Sequence, residues 1–262
     1  ISENYTLSSE IRRQQLIDQD QQRDSLDGRL QYDRDDWTLY GGLRSARDTI
    51  DDDEFRSDLL TAGASKKMLD KRLTLSANGE ADVASGNDNN DYPNKLGIDA
   101  DYRVNRIAWV FANQEFAWGD KYSARETRAG VRATPWKGGT LTTDVGQATD
   151  EFGPRVFTHA GLYQTLQLSS QWYSDFGIDR AQTLKQGNRN PSFDETRRLP
   201  ASGTNADDYT ALAVGLGYRD ADWQWTSRVE NRLSDYSTKW NIFSGFHHRL
   251  DGANTLIGRV SH

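Results

Sequence analysis

The sequence predicts an all-β fold: an antiparallel up-and-down transmembrane β-barrel of about 14 or more strands. Three observations predict it. Apolar residues recur at every second position, short turns alternate with longer polar connections, and aromatic residues gather beside the short turns. Composition points the same way. Of 262 residues only 35% are hydrophobic and 27% are charged, yet the chain carries 8 Trp, 11 Tyr and 9 Phe. A soluble domain draws its core from about 45–50% apolar residues, and disordered chains are depleted in aromatics. A wall with lipid on one side and a polar interior on the other needs no packed core. No stretch approaches the ~20 apolar residues of a membrane helix, so any span is made by strands.

Taken in order, residues 1–25 read as a polar lead-in or extracellular loop, with a weak helical spacing of Ile11, Leu16 and Ile17. Residues 26–262 read as the barrel segment. Leu73, Leu75 and Ala77 alternate with Thr74, Ser76 and Asn78, and Leu96, Ile98, Ala100 and Tyr102 alternate with Gly97, Asp99, Asp101 and Arg103. The same period of two holds for Ala129, Val131 and Ala133, for Leu141, Thr143 and Val145, for Leu166, Leu168 and Ser170, and for Leu212, Val214, Leu216 and Tyr218. That period marks a strand with one apolar face. Around residues 107–112 both faces are apolar, and the pattern leaves open which of them meets lipid.

Strands ending near Tyr32, Lys67, Tyr102, Thr134, Tyr163, Tyr218 and Arg249 are followed by short turns with hairpin chemistry, such as Asp33-Arg34-Asp35-Asp36 and Lys137-Gly138-Gly139. Between them lie polar connections at 48–54, 84–94, 119–124, 149–154, 179–207 and 233–237, of which 179–207 reads as a long surface loop. Short turns on one rim and long loops on the other describe a membrane barrel, whereas a soluble sandwich mixes loop lengths at both ends. The chain starts at Ile1 and stops at His262 inside an alternating segment, without the terminal aromatic on which outer-membrane strands commonly end. It is therefore expected to be part of a larger barrel.

Tyr32, Trp37, Tyr102, Trp136, Tyr163, Tyr218 and Trp223 border the short turns. Trp and Tyr favour the membrane–water boundary, because the ring is apolar while its N–H or O–H stays hydrated. These seven are read as a girdle, and Phe116, Trp118, Trp172, Phe176 and Trp240 as a second one toward the long loops. On the polar side, Arg128 and Arg132, and Arg228, Glu230 and Arg232, recur at every second position and are read as lumen-facing charges. The same ladder would also suit the solvated outside of a soluble sheet.

Candidate chemistry is sparse. His159 and His247 invite comparison with Ser169, Ser170 and Ser244, but no nucleophile elbow or assignable acid accompanies them. Asp88, Asn90 and Asp91 offer hard oxygen ligands in a loop, without the Gly and distal Glu of a calcium-binding loop. No metal or cofactor is expected. A net charge of −7 disfavours binding nucleic acid by phosphate neutralisation.

Several segments, taken together, resemble a known family: Asp36-Trp37-Thr38-Leu39-Tyr40-Gly41-Gly42, Asn113-Gln114-Glu115-Phe116, Ala133-Thr134-Pro135-Trp136-Lys137-Gly138-Gly139, Phe152-Gly153-Pro154-Arg155-Val156-Phe157 and Pro200-Ala201-Ser202-Gly203-Thr204. They are similar to the C-terminal membrane barrel of very long Gram-negative surface proteins carrying bacterial Ig-like conserved repeats. The resemblance implies an outer-membrane anchor or pore attached to a larger surface assembly, and it carries over no catalytic residues. The expected function is a passive pore or transport conduit, or a membrane anchor for surface-exposed modules. Its expected partners are outer-membrane lipids, other domains of the same polypeptide, or a plug or partner chain. The competing classes are a soluble or surface-attached β-protein that binds glycans through exposed Trp and Tyr, and an outer-membrane enzyme.

Overall fold

The computed structural model describes residues 4–16, 21–50, 53–83, 94–119, 123–150, 153–187, 208–234, 238–250 and 255–261. Fifteen strands follow one another along the chain. They are β1 (Tyr5–Leu16), β2 (Gln21–Arg34), β3 (Trp37–Ile50), β4 (Asp53–Met68), β5 (Leu73–Asp82), β6 (Asn94–Arg103), β7 (Ala108–Trp118) and β8 (Ser123–Ala133). The chain continues through β9 (Gly139–Asp150), β10 (Gly153–Gln167), β11 (Trp172–Gln186), β12 (Tyr209–Arg219), β13 (Trp223–Ser234), β14 (Thr238–Arg249) and β15 (Thr255–Ser261). Every strand pairs with its chain neighbours in one sheet ordered β1 to β15, and no pairing joins β1 to β15 among the described residues. This is an up-and-down meander throughout.

One rim holds the hairpin turns at 35–36, 69–72, 104–107, 134–138, 168–171 and 220–222. Three of these turns, 35–36, 69–72 and 134–138, use left-handed backbone, supplied by Asp35 (φ 51°), Leu69 (φ 52°), Asp70 (φ 54°), Lys71 (φ 63°) and Gly138 (φ 77°). Asp is among the residues that tolerate that region, whereas Leu69 holds it at a cost. Residues 251–254, a further expected turn, lie outside the described residues.

The register assigns every side chain to one of two faces, because paired residues share a face and neighbours in sequence do not. On β12, Leu212, Val214 and Leu216 are exposed, while Ala211, Ala213, Gly215 and Gly217 are buried. Following the pairs outward, the apolar face collects Leu26, Leu30, Leu39, Leu43 and Leu60 on β2 to β4, and Phe176, Ile178, Val229, Ile242 and Phe246 on β11 to β14. The other face is polar and charged. Its large side chains lie down across small residues of the next strand: a Cβ on Gly217 would strike the Tyr173 ring, one on Gly146 the Phe157 ring, and one on Gly63 the Tyr40 ring. The register also resolves the ambiguous segment on β7. Val110 pairs with Tyr102 and Val131 on the apolar face, while Trp109 and Phe111 share the polar face with Arg132 and Asp101.

The pairing climbs as it crosses the sheet. Tyr5 pairs with Tyr32, Tyr32 with Leu39, Leu39 with Ala64, Ala64 with Ala77, Ala77 with Ile98, Ile98 with Gln114, Gln114 with Thr127 and Thr127 with Gln147. This row starts beside the turn rim on β1 and ends near the opposite rim on β9. Such a stagger is what tilted barrel strands require.

Several expectations are corrected. Part of the 1–25 lead-in is a strand, β1, paired with β2 over its whole length. Its apolar face holds only Tyr5, Leu7 and Ile11 among polar residues, so the period was too dilute to read. The 179–207 loop begins later, because Asp179, Ala181 and Thr183 still pair with Gly161, His159 and Phe157, and a register shift lies between Val156 and Phe157. The connections at 48–54 and 149–154 shrink to 51–52 and 151–152. There the strands run on past the apolar band, carrying polar side chains such as Ser45, Arg47 and Thr149 on the apolar face. Polar residues on a strand that has run past its apolar band look like a loop in the sequence.

Candidate functional site

The polar face of β2 to β13 carries a belt of charges that neutralise one another across strands. Arg44 on β3 donates to Asp27 on β2 at 2.9 Å and reaches over β4 to Glu80 on β5 at 3.2 Å. On β6 and β7 the Asn113 amide donates to Asp99 at 2.6 Å. Arg128 on β8 holds Asp144 of β9 at 3.1 Å and lies 3.7 Å from Glu126. Asp144 is 3% exposed, so its charge depends on these partners.

The belt is densest around His159 on β10. Its Nδ1 lies 3.0 Å from Asp144 and its Nε2 2.7 Å from Asp179 of β11. A carboxylate only accepts, so satisfying both contacts takes a ring with both nitrogens protonated. Asp179 accepts further from the Tyr163 hydroxyl at 2.6 Å and the Tyr209 hydroxyl at 3.2 Å. The Arg232 guanidinium lies over the Tyr209 ring, 3.5 Å from its centroid. Arg29 over Tyr40 (3.7 Å), Arg155 over Phe157 (4.6 Å) and Arg132 over Phe111 (5.7 Å) repeat this arrangement. Attraction to the ring face holds each guanidinium against the wall.

The sequence-derived charges Arg128, Arg132, Arg228, Glu230 and Arg232 all lie on this polar face. Their pair partners include Gly146, Thr142, Gly215, Ala213 and Ala211, and Arg228 lies 3.6 Å from Glu230. Sequence reading missed Asp144, Asp179 and Tyr209, and weighed His159 only beside serines. The phase of the period held the signal, since Asp144 falls between Thr143 and Val145, and His159 between Thr158 and Ala160. The serines weighed beside the histidines do not converge with them: Ser169 lies in a hairpin turn, and Ser244 pairs with Ser227 on the apolar face while His247 is on the polar one. Asp88, Asn90 and Asp91 lie outside the described residues.

Of the turn-flanking aromatics, Tyr32, Trp37, Tyr102 and Tyr218 share the apolar face near the turn rim, where Tyr32 meets Tyr5 at 4.8 Å and Tyr218 meets Trp172 at 5.1 Å. Trp223 stacks on His248 at 4.0 Å. Trp136 donates to Gln164 on that side and is 50% exposed. Tyr163 is the exception: it pairs with Gly177 and Thr140 on the polar face. Its strand runs on to Gln167, so the turn lies four residues further along than the sequence suggested, and Leu162 and Leu166 take the apolar phase. Trp172 opens β11 beside a hairpin turn and Phe176 follows on the same half of that strand, so neither belongs with a girdle at the loop rim. Of those five, Phe116, Trp118 and Trp240 stand toward that rim.

The chain matches no protein-family model and no curated protein. Its structure is similar to a bacterial polysaccharide outer membrane secretin (TM-score 0.58, 12% identity, covering 92% of this chain and 87% of that one). It is also similar to Pseudomonas aeruginosa OccK10 (OpdN), with TM-score 0.53 and 10% identity over 98% of this chain and 92% of that one. A third similar structure is Pseudomonas aeruginosa OpdO, with TM-score 0.52 and 13% identity over 98% and 89%. With a meander of antiparallel strands, one apolar face and one charged face, the chain has the fold of an outer-membrane β-barrel.

Proposed function

We propose that the chain is the wall of a passive pore in a bacterial outer membrane, with the apolar face against lipid and the charged face lining the conduit. The observation that carries this is the division of the sheet into those two faces. Bulky apolar side chains are left exposed on one side, while the charges on the other are paired across strands rather than packed under a core. The fold shared with a polysaccharide outer membrane secretin supports it. On β5 to β7 the polar face carries Glu80, Asp82, Asp99, Asp101 and Glu115 against Lys95 and Arg103. A conduit lined this way favours cations.

Planar-bilayer recordings of the full chain test this. The expected result is stable conductance with a reversal potential on the cation side, moving toward the anion side when Asp99, Asp101 and Glu115 are replaced by Asn and Gln. Anion preference in the unmodified chain would overturn the assignment of the conduit wall. Membrane insertion without conductance would favour the second reading, an anchor for surface modules, which rests on the resemblance to barrels of long repeat-bearing surface proteins.

A further inference from the structure

The apolar face does not end in neutral residues at the loop rim. Beyond Ile11 stands Arg13, beyond Leu43 and Ser45 stands Arg47, and beyond Ile178 stands Arg180. On β8 the outward series Ala133, Val131, Ala129 and Thr127 ends in Arg125, opposite Phe116. These arginines sit on the lipid side of the wall, where the apolar band gives way to water. Acids on the same face are few among the described residues and already engaged. Asp24 is bonded to Arg13 at 2.6 Å and Asp58 to Arg56 at 2.8 Å, while Asp208 accepts from the Thr183 backbone N–H at 2.6 Å. Arg125 and Arg180 are exposed and have no carboxylate partner among the described residues.

Surplus guanidinium groups at the edge of a hydrocarbon band call for an anion held at that depth. Their planar fork matches the oxygens of a phosphate, and a lipid headgroup brings its phosphate to that level while its chains cover the neighbouring Ile178 and Phe116. A free ion gains nothing from the apolar neighbours. We infer that Arg125 and Arg180, on the outward face at the loop rim, bind the phosphate groups of a phosphorylated lipid in the leaflet on that side. This rests on the reading of the chain as a membrane-spanning barrel wall.

The test uses the full chain refolded in detergent and titrated with a bisphosphorylated disaccharide lipid, the same lipid with its phosphates removed, and inorganic phosphate. The readout is the temperature at which the heat-modifiable gel band unfolds. The phosphorylated lipid should raise that temperature. Replacing Arg125→Gln or Arg180→Gln should raise the half-effective lipid concentration about fivefold each, as expected for a cation at an anionic lipid surface. Arg106→Gln, which removes one charge at the turn rim, should leave it unchanged. Equal responses of the double variant and the wild type overturn the inference, as does an equal effect of the dephosphorylated lipid or of inorganic phosphate at matched phosphate. If the double variant does not refold, the single variants carry the same comparison. A wild-type chain that shows no heat-modifiable band overturns the barrel reading itself, a result distinct from a folded barrel indifferent to the two arginines.

Discussion

His159 shows what a single residue contributes to this wall. Its ring bridges Asp144 and Asp179, and neither carboxylate has solvent enough to stand alone. His159→Phe keeps the bulk and removes both contacts, leaving two facing acids. We expect a loss of about 1–3 kcal/mol in unfolding free energy, measured by urea unfolding in lipid vesicles, as for buried charged groups that lose a partner; an unchanged midpoint would refute the bridging role. Asp220 in the 220–222 turn behaves differently. The Tyr218 hydroxyl and the backbone N–H groups of Trp223 and Asp222 hold its carboxyl below the usual carboxylate range. A depressed value stabilises the fold above the unfolded carboxylate's pKa and loses that contribution as pH falls through the folded one. Wild type should therefore exceed Asp220→Asn in stability at pH 7, and the difference should vanish in acid strong enough to protonate the folded carboxyl. A difference that persists there would argue against the turn bonds as its source.

Among elements, the period of two was legible where apolar side chains filled consecutive outward positions, as on β6 and β12. It failed where that face was diluted. β1 spaces Tyr5, Leu7 and Ile11 among polar residues, and the strand ends beyond the apolar band carry Arg and Ser on the same face, so both resemble loops. Tyr163 was misassigned because a turn was placed too early, and a strand's phase turns over with each single residue. The His159 cluster was illegible for a further reason: its members come from β9, β10, β11 and β12, and only the register brings them together. The absence of Cys makes the face assignment directly testable. In vesicles, Tyr163→Cys and Arg132→Cys should react with a membrane-impermeant maleimide, whereas Leu162→Cys and Val214→Cys should resist it; reversed reactivity would invert the two faces. Gly217→Val should destabilise the β11–β12 pairing by driving Cβ into the Tyr173 ring, and Tyr173→Ala should restore much of the loss. Failure of that rescue would show that the ring is not what requires a glycine.

For the whole molecule, alternation and turn chemistry sufficed to predict a strand wall, its two faces and the chain-order meander. The climb of the register was not readable, because it depends on how each hairpin slips relative to the next. That climb has a mechanical consequence. Partners traced sideways from Tyr5 arrive near the far rim at Gln147, so the hydrogen-bond ladders lie oblique to the barrel axis. A pull on either rim loads many backbone bonds together in shear instead of opening them one at a time, and force entering at one hairpin is handed round the wall to its neighbours. A sheet built this way resists extraction as a unit, a property equally useful to a pore that must keep its bore and to a tether that must hold under drag.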